Sequence, residues 1–397
     1  IGSLALGVLF GQKPRAIIES MLGSASDPKT IFLAIIVGLI LILSNSMEKA
    51  GQMKRLLTSF GGLISNPRLN LIIFPALIGL LPMPGGAVFS APMVKELGDQ
   101  TNLAGHQLSF VNYWFRHIWE YWWPMYPGVL LAVVIADLNL ALFVVLMVPL
   151  TLAAIYFGQR PIKSFYNSKN KKPAQSPPVK PFLWELLPIL IVIIPGLSAG
   201  VLISTVFSGF SLAKETALVS CLCIAIIWIW RENQLSGDLI RRLLLNKNLL
   251  NIFYMVAAIL IFKGILADSQ AVKAISDELL SLKIPLLIIV AFLPFVVGLV
   301  CGIGIAFVGS AFPILIPMIH SVGESQFMLA YIMLAMVCGF AGVLLSPLHL
   351  CLILSNDYFK TQLTSVYKHL WLPCAGLILS AFGYFWLLHW ACIRLFS

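Results

Sequence analysis

Two stretches decide the fold. The first is Pro75-Ala-Leu-Ile-Gly79, leading into Pro82-Met-Pro-Gly85-Gly86-Ala87 with Ser90 and Pro92 behind it. The second begins about 219 positions later: Pro294-Phe-Val-Val-Gly298, then Cys301-Gly302-Ile303-Gly304-Ile305-Ala306, with Ser310 and Pro313 behind. Each is an apolar run broken in its middle by glycine or proline, with apolar residues resuming at once. Broken apolar runs at corresponding places in two halves of a chain mark the substrate site of secondary transporters. The pattern predicts a carrier.

Composition sets the same class. The 397 residues are 59% hydrophobic and 11% charged, against roughly 25% charged in a soluble domain. Apolar segments near 29–46, 139–158, 182–204, 212–230, 247–266 and 370–393 each approach the ~20 residues that cross a bilayer as a helix. The net charge of +10 sits in short loops. Residues 159–181 carry Arg160, Lys163, Lys169, Lys171, Lys172 and Lys180 with no acid, and 231–247 adds Arg231, Arg241, Arg242 and Lys247. Basic loops of this kind face the cytoplasm and lipid headgroups rather than nucleic acid. The localisation expected is a prokaryotic cell (inner) membrane, multi-pass, with the linker 159–181 cytoplasmic. Seven scattered cysteines, none in a CxxC pair, read as buried thiols and not as a metal or disulfide framework.

The correspondence between halves runs beyond the broken stretches. Val37-Gly-Leu-Ile-Leu-Ile42 aligns with Val256-Ala-Ala-Ile-Leu-Ile261, and Pro124 and Pro347 each interrupt a later helix. Residues 1–158 therefore form a first repeat, with a hairpin at 68–97 and a broken helix at 104–137. The basic linker 159–181 joins it to a second repeat, 182–397, with a hairpin at 284–319 and a broken helix at 326–357. Counting spans outward from the linker sends the two hairpins in from opposite faces, so the repeats are inverted. The arms of the first hairpin, about 13 and 8 residues, are too short to cross ~30 Å of hydrocarbon. Irregular backbone at that depth survives only where protein buries it or water reaches it. Two tips and two breaks are thus expected to meet around a site.

The candidate site residues follow. Asn112-Tyr-Trp-Phe-Arg116-His117-Ile-Trp-Glu120-Tyr-Trp-Trp-Pro124 places three ionisable groups inside one span, where each costs at least ~2.5 kcal/mol without a partner. Arg116 and Glu120, four apart, can pair on one helix face. Arg116 is the expected anion ligand, because its fork suits a carboxylate. Glu120 and His117 are the expected coupling groups for a proton or cation. Pro84, Gly85, Gly86, Ser90, Asn112, Gly302, Gly304, Ser310, Ser346 and His349 complete the expected binding set. The tryptophans at 114, 119, 122 and 123 read as an aromatic belt or as helix packing. No Walker loop, HExxH or GxGxxG occurs, so no enzyme is expected, and no cofactor other than a sodium ion.

Leu81-Pro-Met-Pro-Gly-Gly-Ala-Val-Phe-Ser90, Asn112 to Glu120, and Leu345-Ser-Pro-Leu-His-Leu-Cys351 resemble an integral-membrane family catalogued as domain of unknown function 401, over essentially the full length. That family looks like a member of the ion transporter superfamily, with dicarboxylate/sodium symporters, citrate and gluconate permeases and TRAP large subunits. The resemblance implies an all-α, elevator-type fold, usually a homodimer. It maps the superfamily's tips onto 82–86 and 301–304 and its broken helices onto the segments around Pro124 and Pro347. Dicarboxylate members carry Ser-Asn-Thr at their tips. Here Pro-Met-Pro-Gly-Gly and Cys-Gly-Ile-Gly stand instead, so a sodium ion would use backbone near Pro124 and Pro347. The function expected is transport of a small organic anion (a carboxylate), coupled to sodium or protons. The alternatives are an inorganic-ion exchanger or channel, and a membrane subunit of a multi-component transporter. Expected partners are the anion, lipids and a second copy of the chain, with no nucleic acid.

Overall fold

The computed structural model describes the chain apart from residues 1, 65, 84, 100–101, 163–177, 207–211, 270–273, 276–277, 279–282 and 397. Among the described residues every regular element is a helix. Helices α1 (Gly2–Leu9) and α2 (Pro14–Ser26) precede α3 (Pro28–Lys49) and the short α4 (Gln52–Phe60). A helical hairpin follows, α5 (Pro67–Gly79) and α6 (Ala87–Gly98). Next come α7 (Gly105–Arg116) and α8 (Pro127–Ile135), parted by residues 117–126, and then α9 (Leu140–Gly158). The middle of the chain holds α10 (Val179–Val206), α11 (Ala213–Glu232), α12 (Gly237–Leu244) and α13 (Lys247–Asp268). A second hairpin, α14 (Leu286–Cys301) and α15 (Gly304–Ser321), leads to α16 (Met328–Leu345), α17 (Leu350–Tyr358) and α18 (Leu363–Phe396). The order of long helix, hairpin, interrupted helix and closing helix occurs in both halves.

Local chemistry sets the starts. Helices α2, α3, α5 and α8 open on proline, which lacks the amide that a first turn leaves unpaired. Asp27 caps α3 through the Thr30 amide, Asn66 caps α5, and Asn139 caps α9. Eight described helices or helix runs are long and apolar enough to span a bilayer. Their outward faces are apolar too: Val145, Leu152, Trp371, Leu379 and Trp386 are all exposed. A water-soluble surface would not carry so continuous an apolar face. The chain has the make-up of a multi-pass membrane protein.

The helices pack in two groups. One contains both hairpins and both interrupted helices, α5 to α8 and α14 to α17, with α9 and α18 against α7 and α16. The other contains α3, α10, α11 and α13, with α2 and α4 at its edge. Polar ties hold the second group: Gln52 Nε2 donates to the Glu185 carbonyl, Arg55 Nε to Glu185 Oε1 at 2.8 Å, and Trp230 Nε1 to Ser46 Oγ. The two groups meet where α8 touches α3 and α15 touches α13.

Inside the first group glycine lets backbones touch. A Cβ on Gly79 of α5 would collide with the Arg116 carbonyl, and one on Gly298 of α14 with the Gly339 carbonyl. Each hairpin's first arm thus lies directly on the first half of its interrupted helix.

Two expectations change in detail, and a third falls outside the described residues. The first interruption starts at His117 rather than at Pro124, and across it Trp119, Trp123 and Tyr126 bond to the end of α5. The second arm of the second hairpin, α15, has 18 residues and is by length alone able to span. Most of the linker 159–181, namely 163–177, lies outside the described residues.

Candidate functional site

Both tips and both interruptions line one cavity of about 420 Å³. Met83 and Gly85 come from the first tip, and Gly302 to Gly304 from the second. Arg116 to Gly128 bring in the first interruption, and Leu348 to Cys351 the second. The tips turn through left-handed residues that only glycine adopts cheaply: Gly85 at φ 72° and Gly302 at φ 64°. The far wall is apolar and belongs to the second helix group: Val37, Ile40 and Leu41 of α3, Ile252 and Met255 of α13.

Eight helix ends converge here, four of each polarity. The carbonyl ends of α5 and α16 are already bonded to side chains. On α5, Trp119 Nε1 donates to the Ala76 carbonyl, Trp123 Nε1 to Leu80 and Tyr126 Oη to Gly79, at 2.8, 3.0 and 2.7 Å. On α16, Tyr113 Oη donates to Leu344, Tyr367 Oη to Leu345, and the His349 ring nitrogen Nδ1 lies 3.2 Å from the Val343 carbonyl. The tryptophans of the interruption therefore serve packing and carbonyl capping. The amide ends differ. None of the four starting at the cavity, on α6, α8, α15 and α17, is capped by a side chain. Side-chain capping at the cavity is thus one-sided: the carbonyl ends of α5 and α16 have it, and none of the four amide ends does.

Arg116 adds to that bias. It ends α7, is 2% exposed, and gives Nη2 to the Met83 carbonyl at 2.6 Å. Nη1 donates to His117 Nε2 at 3.1 Å and to Cys351 Sγ at 3.4 Å. Nε is buried without a partner and faces Gly86, where a Cβ would run into the guanidinium. The expected Arg116–Glu120 pair is not among the described ion pairs. The helix stops between the two residues, so their helical register is lost. Glu120 instead lies 3.7 Å from His117 Nε2, with its other oxygen toward Gly304.

The remaining candidates divide by position. Gly85, Arg116, His117, Glu120, Gly302, Gly304 and His349 line the cavity. Ser90 and Asn112 sit behind it, fully buried. Ser90 Oγ donates to Asn112 Oδ1 at 2.6 Å, and Asn112 Nδ2 reaches the Ala87 carbonyl and Ser355 Oγ. They tie the first hairpin to α7 and α17. Ser346 is buried and accepts from the Leu348 amide, holding the second interruption. Ser310 is exposed on α15, away from the cavity. Pro84 lies outside the described residues.

Sequence reasoning missed Cys351, Tyr113, and the Ser109 to Asn356 bond of 2.6 Å that joins α7 to α17. The His349-x-Cys351 spacing was the visible signal for the first.

No curated protein matches the chain. A family profile described as "Protein of unknown function (DUF401)" matches residues 3–387. With nearly its whole length inside that profile, and with the membrane make-up and central cavity described above, the chain belongs to the DUF401 family.

Proposed function

We propose that the protein is a secondary transporter for a small organic anion carrying a carboxylate. One observation carries the reading. At a single cavity the carbonyl ends of α5 and α16 are occupied by side chains, the four amide ends carry no side-chain cap, and the buried Arg116 keeps Nε without a partner. Helix amide ends and arginine both favour negative charge. The volume of about 420 Å³ suits a small metabolite. The apolar wall from α3 and α13 suits a substrate with a hydrocarbon body opposite its acid group.

The cavity's position between the two helix groups supports an elevator motion, in which the hairpin group moves past the group of α3, α10, α11 and α13. The repeated element order supports an inverted pair of repeats with hairpins entering from opposite faces, the arrangement that membership of the ion transporter superfamily would imply. In that family the working unit is usually a homodimer. Glu120 and His117 carry coupling in this reading. Sodium held by backbone near Pro124 and Pro347 is the second candidate, weakened by the side-chain donors already on the carbonyls of α5 and α16.

The test is thermal stability of the purified chain against a panel of small carboxylates, with sodium or potassium, at two pH values. Ligand at 100 times its Kd adds about 2.7 kcal/mol of stability by mass action. A carboxylate-specific shift that Arg116→Gln removes is expected. Shifts with inorganic ions and none with any carboxylate would move the reading to an ion exchanger.

A further inference from the structure

His117, His349 and Cys351 come from two interruptions some 230 residues apart, yet their ligating atoms lie within 4.8 Å of one another. All three are buried. Their hydrogen bonds fix which lone pairs are free. His117 Nδ1 is 2.6 Å from the Tyr113 carbonyl, and a carbonyl has no hydrogen to give, so Nδ1 carries the proton. Nε2 is then a bare acceptor, and Arg116 Nη1 donates to it. His349 repeats the arrangement, with Nδ1 on the Val343 carbonyl and beside Tyr113 Oη, which itself donates to Leu344. With the proton on Nδ1, facing the Val343 carbonyl, Nε2 keeps a lone pair for a ligand. Cys351 Sγ accepts from Arg116 Nη1 as well.

A histidine whose Nδ1–H is anchored to a backbone carbonyl, with Nε2 presented to a cluster, is the arrangement that orients metal-bound imidazoles. Two such imidazoles and a thiol make an N₂S donor set, which selects borderline and soft divalent ions over sodium, magnesium or calcium.

We propose that these three side chains bind a divalent transition metal of the zinc, cobalt or nickel class. The Nε2 atoms and the sulfur are the ligands, and the thiol proton is released to solvent as the metal–sulfur bond forms. Arg116 Nη1 moves off His117 and Cys351 when the ion binds, while Nη2 keeps the Met83 carbonyl. Three protein ligands leave a fourth position open to the cavity, the pattern of sites where a further ligand joins the ion. Glu120, at 3.7 Å from His117 Nε2, supplies compensating negative charge nearby. The site does not depend on the anion-carrier reading.

The test uses cobalt(II) on the purified full-length chain with any affinity tag removed. One cobalt per chain and a near-ultraviolet thiolate-to-cobalt band are expected. Cys351→Ser should abolish the band, and His349→Ala should weaken binding at least about tenfold. His106→Ala is the control, because His106 stacks on His369 at 5.1 Å and offers a competing imidazole pair. It should change nothing. Cys351→Ser swaps one atom and guards against misfolding, checked by metal-free thermal unfolding. No stoichiometric cobalt, or binding that survives Cys351→Ser with its band intact, would overturn the inference. So would binding that depends on His106.

Discussion

Replacing Arg116 by glutamine is expected to abolish saturable uptake of the carboxylate substrate while the protein still inserts and folds. A hydrogen bond to a charged group contributes about 1.5–3 kcal/mol, and each 1.4 kcal/mol is tenfold in affinity. Loss of the guanidinium should therefore weaken substrate binding about tenfold to hundredfold. The same change withdraws donors from the Met83 carbonyl, His117 Nε2 and Cys351 Sγ, so a modest fall in thermal stability should accompany it. Arg116→Lys separates the two effects. It keeps the charge but cannot reach several acceptors at once. Its affinity should lie between wild type and the glutamine variant. Affinity unchanged in both variants would remove Arg116 from the site.

Gly298→Val should cause a large loss of folded protein. A Cβ at 298 meets the Gly339 carbonyl and sits 3.1 Å from the Val343 amide nitrogen. Both are backbone atoms of α16, so no side chain can swing aside. Overpacking of this kind costs about 1–3 kcal/mol, and more where backbone must move. The contact joins α14 to α16, and its opening also disturbs the second tip. Gly383→Ala in α18 is the contrast, since nothing lies within 4 Å of a Cβ there. Alanine at a helix interior should then be neutral or stabilising by about 0.5–1 kcal/mol. Fluorescence-detected size-exclusion and thermal unfolding read both. Equal stability of the two variants would refute the close backbone approach.

Much of the arrangement is legible in the sequence. The apolar segment expected at 29–46 is α3 at Pro28–Lys49, the one at 139–158 is α9, and the one at 247–266 is α13. The tip positions follow from Gly85-Gly86 beside two prolines and from Gly302-Ile-Gly304, which interrupt the apolar runs. The extent of the first interruption is not legible. His117 to Tyr126 contains no glycine, and its aromatic residues suit a helix well. The partners of its side chains lie at the end of α5, some 43 to 47 residues earlier, where Trp119, Trp123 and Tyr126 bond. The Arg116–Glu120 pairing fails for the same reason, since helical spacing means nothing across a break. Ser310 looks equivalent to Ser90, yet one faces outward and the other is sealed against Asn112. Periodicity cannot rank two serines in uniformly apolar helices. The grouping of His117, His349 and Cys351 depends on how the two interruptions face each other, which no local pattern encodes.

In the proposed elevator motion the tip-lined cavity opens to each side of the membrane in turn. Ile303 at the second tip lines that cavity and is 57% exposed. The direct measurement places a single cysteine there, Ile303→Cys, in a background with the seven native cysteines replaced. The protein is reconstituted in one orientation and treated with a membrane-impermeant maleimide from each face separately. Labelling from both faces is expected, slowed on both by a bound carboxylate. Labelling confined to one face, whatever the sodium concentration, pH or carboxylate present, would contradict it.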